Sequence, residues 1–213
     1  MNLHPFQVTA AEAIQIQRQL LGKVVTRGKL AGVTLVAGVD VGFREGVATA
    51  GIAVLSLRNL EVRDEASATR PIEFPYVPGL LSFREIPVLL DALERIRELP
   101  DVILCDGQGI AHPRRLGLAS HLGVLTGIRT VGVAKARLFG THGQVPAAKG
   151  AWVPLRDGSE TIGAVLRTQE GVKPLYVSIG HRIELDSARE IVMQCVSRFR
   201  LDCRWCPLTP DGP

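Results

Sequence analysis

The order of β-like and helical segments constrains the fold of this chain more than any other feature. Three β-rich runs follow one another with only short, turn-rich connections between them, at residues 33–41, 48–57 and 60–69. Short connections of this kind favour antiparallel hairpins. Apolar residues then recur at helical spacing over 86–96, and two short apolar runs follow at 102–105 and 130–134.

Three antiparallel strands followed by helix, strand, helix and strand is the order of a ribonuclease H-like α/β fold. We therefore predict a central mixed sheet, with three antiparallel strands followed by parallel strands, flanked by helices. Further elements are predicted as a helix at 10–25, β-like runs at 151–155, 161–167 and 174–179, and a helix at 186–199. The length of 213 residues suits a single domain over 1–213, with 201–213 as an irregular tail.

The composition is that of an ordinary folded protein, with 46% apolar and 22% charged residues. A net charge of +4 favours an anionic partner, although many basic proteins bind no nucleic acid. No signal peptide is recognisable, and no apolar run approaches the roughly 18 to 20 residues of a membrane span. We therefore expect a cytoplasmic protein without membrane contacts, and a monomer by default.

The four cysteines divide into two groups. Cys105 and Cys195 lie in apolar segments and are predicted to be core thiols, whereas Cys203 and Cys206 form a C-x-x-C near the C-terminus. A zinc site needs about four ligands, and no second Cys or His pair lies close in sequence. A disulfide and two incidental thiols both remain open for this pair.

Three carboxylates are placed where a metal ion could gather them. Asp40 lies inside an apolar run, Asp106 ends the run 102–105, and Glu85 lies near the start of the helix between them in sequence. If the two strands are neighbours, both aspartates emerge at one edge of the sheet. Carboxylate oxygens are the ligands that Mg²⁺ and Mn²⁺ prefer. Such an ion polarises a phosphate and activates water.

Each carboxylate also has a structural interpretation. Asp40 could pair with a buried arginine, and Asp106 precedes a glycine, as turn aspartates often do. Glu85 follows Ser82 at the spacing of a capping box. Pro87 argues against that box, because it would remove a hydrogen bond inside the helix. We therefore expect the helix to begin near 84–86 and to leave Glu85 free.

At these residues the chain resembles a known family. Five segments are similar, in order, to the signature blocks of the endonuclease V family: AGVDVGF at 37–43, PYVPGLLSFRE at 75–85, DGQGIAHPRR at 106–115, VGVAK at 131–135 and SIGHR at 178–182. The resemblance covers residues from roughly 10 to 200. It departs from the family at the 201–213 tail, loosely over 139–173, and at Gln108, where many members have histidine.

The resemblance implies a ribonuclease H-like core in which Asp40, Glu85 and Asp106 bind a catalytic Mg²⁺, with Mn²⁺ as a substitute. It also implies supporting catalytic roles for His112, Lys135 and His181.

The residues themselves are compatible with those roles but do not impose them. Lys135 follows an apolar strand and can reach the scissile phosphate, or it can be an exposed loop lysine. His112 precedes Pro113 and can cap a helix, or contact the leaving phosphate or a second metal. His181 follows a strand and can act near the metal, with a surface histidine as the alternative.

Basic residues near these segments are predicted to hold the nucleic-acid backbone: Arg114, Arg115, Lys135 and Arg137. Asp186 is predicted to cap the last helix.

Tyr76 is the candidate for a different task. Two prolines stiffen its loop, and Gly79 lets the backbone approach a ligand closely. A rigid aromatic ring at such a tip can wedge into a base stack beside an extruded base. In the family this loop is the strand-separating wedge, and packing of Tyr76 on its own domain is the alternative.

The resemblance also implies that the recognised lesion is hypoxanthine, the base of deoxyinosine. Hypoxanthine differs from adenine in offering an O6 acceptor and an N1–H donor, and it lacks the 2-amino group of guanine. A tight pocket with backbone N–H groups near O6 would reject adenine, and steric closure would reject guanine. The resemblance implies a base pocket that is built around Gly79, Leu81, Gly107, Leu118 and Leu138.

Taken together with these residues, the resemblance implies a metal-dependent endonuclease that recognises deoxyinosine in DNA during repair. By resemblance it cuts the second phosphodiester bond 3′ to the lesion and leaves 3′-hydroxyl and 5′-phosphate ends. Three alternatives remain: the same enzyme acting on inosine in RNA, a non-catalytic inosine-binding module, and a structure-specific resolvase on the same fold.

Overall fold

The computed structural model describes residues 3–196, which form an eight-stranded sheet with four helices. The strands are β1 Leu35–Arg44, β2 Val47–Ser56, β3 Val62–Pro71, β4 Val102–Cys105, β5 Arg129–Ala134, β6 Trp152–Asp157, β7 Glu160–Leu166 and β8 Leu175–His181. The helices are α1 Ala10–Leu21, α2 Leu81–Leu93, α3 Leu118–Thr126 and α4 Leu185–Cys195.

The sheet has the order β3-β2-β1-β4-β5-β8-β7-β6. Strands β1, β2 and β3 are antiparallel neighbours, and β4 pairs in parallel with both β1 and β5. Strands β8, β7 and β6 extend the sheet with antiparallel pairings. The predicted mixed sheet, with three antiparallel strands followed by parallel strands, is thereby confirmed.

Side chains along the central strands alternate between the two faces of the sheet, and this divides the core into two layers. On β4, Ile103 and Cys105 pack towards α2 and α3, whereas Val102 and Leu104 pack towards α4. All four side chains are at most 5% exposed. Successive strand residues point to opposite faces, so a strand that is covered on both faces must be apolar throughout.

Helix α2 begins earlier than the sequence suggested. It starts at Leu81 rather than near 84–86, and Pro87 lies inside it. Pro87 supplies no N–H and so weakens the helix locally. Burial outweighs that cost, because Phe83, Ile86 and Leu89 are at most 1% exposed in the core.

Two smaller expectations on α4 and the tail have different outcomes. Asp186 does not cap α4, whose N-cap is Glu184; the Asp186 carboxylate pairs with Arg189 on the first turn. The predicted tail at 201–213, with its two cysteines, lies outside the described residues.

Cys105 and Cys195 are buried free thiols, as predicted. No helix in the described part of the chain is long and apolar enough to cross a membrane.

Candidate active site

Two of the predicted catalytic residues meet at the carboxyl end of the parallel strands. Asp106 directly follows β4 and Lys135 directly follows β5, and the Lys135 Nζ donates to Asp106 Oδ2 at 2.8 Å. The backbone N–H of Asp106 bonds to the carbonyl of Val39, which places Asp40 beside it on β1. The parallel register therefore brings both aspartates and the lysine to one edge of the sheet.

Glu85 reaches the same environment from α2. It is 7% exposed, and its pKa is raised to about 8, first by burial and then by the charges of Asp40 and Asp106. An electrostatic effect of this kind requires the three carboxyl groups to lie near one another. Glu85 makes no capping bond to Ser82, since α2 has no side-chain cap.

The donor chemistry at this edge suits a magnesium-like ion. Asp40 Oδ1 accepts from the N–H of Val41 at 2.8 Å, and Asp106 is held by Lys135. Within residues 3–196, no group of three or more His, Cys, Asp or Glu side chains is arranged so that it could hold a metal ion. Mg²⁺ does not need such a group, because it keeps several waters and is usually bound through one or two carboxylates. A cation would also relieve the repulsion among clustered carboxylates.

A cleft of about 380 Å³ opens beside the Asp106–Lys135 pair. Both residues line it, together with Tyr76 and His112. All five residues predicted to form the base pocket line it as well: Gly79, Leu81, Gly107, Leu118 and Leu138. A Cβ on Gly107 would lie 3.2 Å from the Leu118 side chain, so this wall has little room for a larger residue.

Tyr76 projects from the rim of this cleft. Its side chain is 70% exposed and lies between Pro75 and Pro78. Gly79, which closes the 75–79 loop, has a φ of 78°, a conformation that favours glycine. The alternative in which Tyr76 packs on its own domain does not fit this exposure.

The carbonyl oxygen of Gly79 is an anchor point of the 75–79 loop. Three donors converge on it: Gln17 Nε2 at 3.0 Å, His112 Nε2 at 3.0 Å and Arg114 Nη2 at 2.7 Å. Arg114 Nε also donates to Gln17 Oε1. We call these three side chains the Gly79 clamp.

His112 belongs to this clamp. Its Nδ1 accepts from the N–H of Arg114 at 3.1 Å, so the ring proton resides on Nε2, which donates to Gly79. Burial, and then the Arg114 charge, lowers its pKa to about 4. His112 is therefore a neutral support of the loop. It does not cap a helix, because the next helix begins only at Leu118.

The two arginines expected to bind phosphate are engaged internally instead. Arg114 holds the Gly79 clamp. Arg115 donates to Asp157 and Glu160, each at 2.6 Å, and the Glu160 carboxylate raises its pKa. These contacts tie the β6–β7 turn to the chain that enters α3. A guanidinium between two carboxylates is a poor partner for a phosphate, because binding must displace them.

His181 is not brought to the site. It ends β8, which runs antiparallel to β5, and it pairs with Thr130 at the start of β5. Lys135 follows the other end of that strand, five residues beyond Thr130, which is about 16 Å along the strand. His181 Nδ1 accepts from the N–H of Val25 at 3.2 Å. His181 does lie at the end of a strand, as the sequence indicated. Because that strand runs antiparallel to β5, its end lies at the edge of the sheet opposite to Asp106 and Lys135.

Comparison with known proteins agrees with this geometry. The endonuclease V family model matches residues 18–203. The chain belongs to the endonuclease V family. Endonuclease V of Trichormus variabilis is 54% identical over 201 residues, which cover 93% of this chain and 91% of the relative. Membership makes this chain a nuclease, and therefore a hydrolase.

Solved endonuclease V structures share its fold. The Streptomyces avermitilis structure is 45% identical, with a TM-score of 0.86 over 91% of this chain and 86% of that one. The Ciona intestinalis structure is 28% identical, with a TM-score of 0.75 over 87% of this chain and 89% of that one. That protein was crystallised with a 24mer DNA containing an inosine followed by a ribo-adenosine.

One residue that lines the cleft of this endonuclease V chain was missed in the sequence. Gln17 is fully buried on α1, where it bonds to Gly79, Leu116 and Arg114. The signal was present, because Gln17 follows Ala13 at a spacing of one helical turn on the buried face of α1. A polar residue on an apolar helix face must find partners in the core.

Proposed function

We propose that this chain is a metal-dependent endonuclease that recognises hypoxanthine in nucleic acid and cuts the second phosphodiester bond on its 3′ side. The products are 3′-hydroxyl and 5′-phosphate ends, and the role is DNA repair. The observation that carries the proposal is a single cleft that combines the Asp106–Lys135 pair, the exposed Tyr76 and the five pocket residues.

The pocket walls suit a flat, uncharged base. Gly79 and Gly107 let backbone approach the ligand closely, and Leu81, Leu118 and Leu138 supply apolar contact surface. Tyr76 on its stiff loop takes the place that the extruded base leaves in the stack. These features support recognition of a lesion and go beyond what a structure-specific resolvase would need.

The catalytic metal, Mg²⁺ with Mn²⁺ as a substitute, would be held by Asp40, Glu85 and Asp106. When bound, it supplies polarisation of the scissile phosphate and an activated water. The Lys135 ammonium, 59% exposed beside Asp106, offsets negative charge that develops on the phosphate.

Fewer cationic side chains are available to contact the nucleic-acid backbone than the sequence suggested. Arg137 lines the cleft with Lys135 and is exposed, whereas Arg114 and Arg115 serve internal contacts. The affinity for nucleic acid should therefore decrease only gently as the salt concentration rises, because the slope is set by the small number of phosphate contacts.

The decisive experiment is cleavage of matched DNA and RNA oligonucleotides, each with one inosine and each with an inosine-free control, in Mg²⁺ and then in Mn²⁺. Cleavage of the inosine DNA at the second 3′ bond is the expected result. Cleavage of RNA alone would replace DNA repair with inosine-specific RNA turnover. Tight binding without cleavage in either metal would establish a non-catalytic inosine-binding module, and equal cutting of the inosine-free controls would overturn the proposal.

A further inference from the structure

Gln108 is a buried amide in the wall of the cleft, two residues after Asp106. It is 8% exposed and lines the cleft. Its Nε2 donates to the carbonyl of Ala136 at 3.0 Å, on the loop that follows β5. Because a carbonyl only accepts, this bond fixes which end of the amide is nitrogen and which is oxygen.

The other end of the amide has no partner. Gln108 Oε1 is buried, and no hydrogen-bond donor within residues 3–196 reaches it. Buried side-chain oxygens without a partner are uncommon, and each costs stability unless a ligand or solvent satisfies it. An acceptor of this kind in a binding cleft is suited to a ligand N–H.

The backbone around Gln108 is rigid, so the acceptor is held in place. The carbonyl of Gln108 accepts from the N–H of Ala119 at 3.0 Å, and the N–H of Gly109 donates to Ser178 Oγ at 2.8 Å. A Cβ on Gly109 would lie 2.0 Å from the carbonyl oxygen of Ile179, so the backbones here are in close contact. The 135–138 loop, whose Ala136 carbonyl accepts from Gln108, is exposed.

We propose that Gln108 Oε1 accepts a hydrogen bond from the N1–H of the extruded base, and that Gln108 is a specificity-determining residue. This inference rests on the proposed function, since it assigns one contact within the same pocket. Hypoxanthine presents N1–H as a donor, whereas adenine presents an N1 lone pair, which would face the Oε1 lone pairs. The contact therefore favours hypoxanthine and disfavours adenine; it leaves guanine to be excluded by shape.

The test is a cycle of two proteins and two substrates. Gln108→Met keeps the length of the side chain and removes both its acceptor and its donor. The substrates are duplexes that carry either hypoxanthine or unsubstituted purine, whose N1 is a bare acceptor. Single-turnover cleavage and binding are measured for each pair in Mg²⁺, and thermal melting of each protein controls for folding.

We expect Gln108→Met to lower binding and cleavage of the hypoxanthine duplex by about 5- to 100-fold. On the purine duplex the same variant should be unchanged or improved, because a repulsive contact has been removed. Gln108→His, whose imidazole can both donate and accept, should restore most of the preference for hypoxanthine.

Equal losses on both substrates, or no loss on either, would overturn the role of Gln108 and leave it as a structural link to Ala136. If Gln108→Met fails to fold, Gln108→Leu, which also lacks an acceptor, takes its place: an unchanged preference for hypoxanthine over purine in a variant that melts like wild type contradicts the proposal. Failure of the proposed function is distinguishable, because wild type would then show no preference for the hypoxanthine duplex at all.

Discussion

Asp106 shows how one residue position joins the fold to the chemistry. It is the first residue after β4, its N–H is anchored to β1, and its carboxylate contacts Lys135 at 2.8 Å while raising the pKa of Glu85. Nothing in the sheet requires a negative charge at this edge, where another carboxylate, Asp40, already lies. The cluster is unfavourable for the fold and is explained by the cation that it would hold.

We therefore predict that Asp106→Ala or Asp40→Ala lowers cleavage by at least about 100-fold, since metal-assisted charge stabilisation contributes several kcal/mol. Both variants should fold with equal or slightly higher stability, because like charges no longer repel. Single-turnover rates and melting curves test this. Glu190→Ala, an exposed carboxylate on α4, is the matched control; near-normal nicking by Asp106→Ala would remove the metal-ligand assignment.

His121 is a second residue whose burial has a measurable consequence. It is fully buried, and its ring nitrogens contact His4 at 2.7 Å and Ser82 at 3.0 Å. Burial, and then the His4 charge, lowers its pKa to about 3 from 6.5. The folded state therefore binds the proton less readily than the unfolded chain does.

Stability should accordingly be fully present above pH 6.5 and should decline as the pH falls towards 3. For His121 alone the loss between pH 7 and pH 5 is about 2 kcal/mol. His121→Asn should be less stable at pH 7 but should lose about 2 kcal/mol less over that interval, with His112 still contributing. Urea denaturation at both pH values measures the free energy of unfolding. If the variant loses as much of it between pH 7 and pH 5 as wild type does, His121 is not the source of the pH dependence.

At the scale of elements, the proposed function assigns recognition to the 75–79 loop and chemistry to the carboxylate cluster. It carries Tyr76 outside the carboxylate cluster, and it depends on α1 and on the chain before α3 for its position. Three donors fix the Gly79 carbonyl at the end of the loop, so a small displacement at Gly79 moves the aromatic tip.

Tyr76→Ala should lose stacking worth about 1–3 kcal/mol, or roughly 5- to 150-fold in binding. The loss should be largest on inosine duplexes, where strands must separate, and smaller on inosine single strands. Tyr76→Phe should be mild, because the ring provides the stacking, and melting should be unaffected in both. Equal losses on duplex and single strand would remove the strand-separating role.

Gln17 tests the clamp that positions this loop. Gln17→Leu removes two donors and one acceptor from a buried site, which should lower the free energy of unfolding by about 1–3 kcal/mol. If the clamp also positions Tyr76, duplex binding should weaken while the cleavage rate of saturated single strands stays close to that of wild type. Gln15→Leu, an exposed neighbour on α1, is the control. A parallel fall in both measurements would indicate a purely structural role.

At the scale of the whole molecule, the proposed metal site predicts a link between metal binding and stability. A divalent cation that binds the folded state at 100 times its Kd adds about 2.7 kcal/mol, which is about 5–10 °C in Tm for a chain of this size. We expect Mg²⁺ and Mn²⁺ to raise the Tm of wild type but not of Asp106→Ala. Calcium should bind without supporting cleavage, because its looser coordination misplaces the attacking water. Turnover that persists after exhaustive EDTA dialysis would contradict a metal-dependent mechanism.

The local pattern of apolar and polar residues in the sequence determined the strands, the class of the sheet and two of the candidate site residues. Alternation and spacing identified the strands and the sheet class, because a buried strand must be apolar and short connections impose antiparallel neighbours. Asp40 was recognisable because a charge inside an apolar run demands a partner, and Asp106 because it directly follows such a run.

Strand direction and long-range contacts were decided only by the tertiary structure. His181 follows a strand just as Lys135 does, yet antiparallel pairing sends it to the far edge. Arg114 and Arg115 have the sequence pattern of phosphate-binding residues, but they face a carbonyl and two carboxylates from distant segments. Pro87 stays inside α2 because core burial outweighs a lost helix bond. Periodicity records which face of an element is buried; which residues meet across elements depends on how those elements are paired.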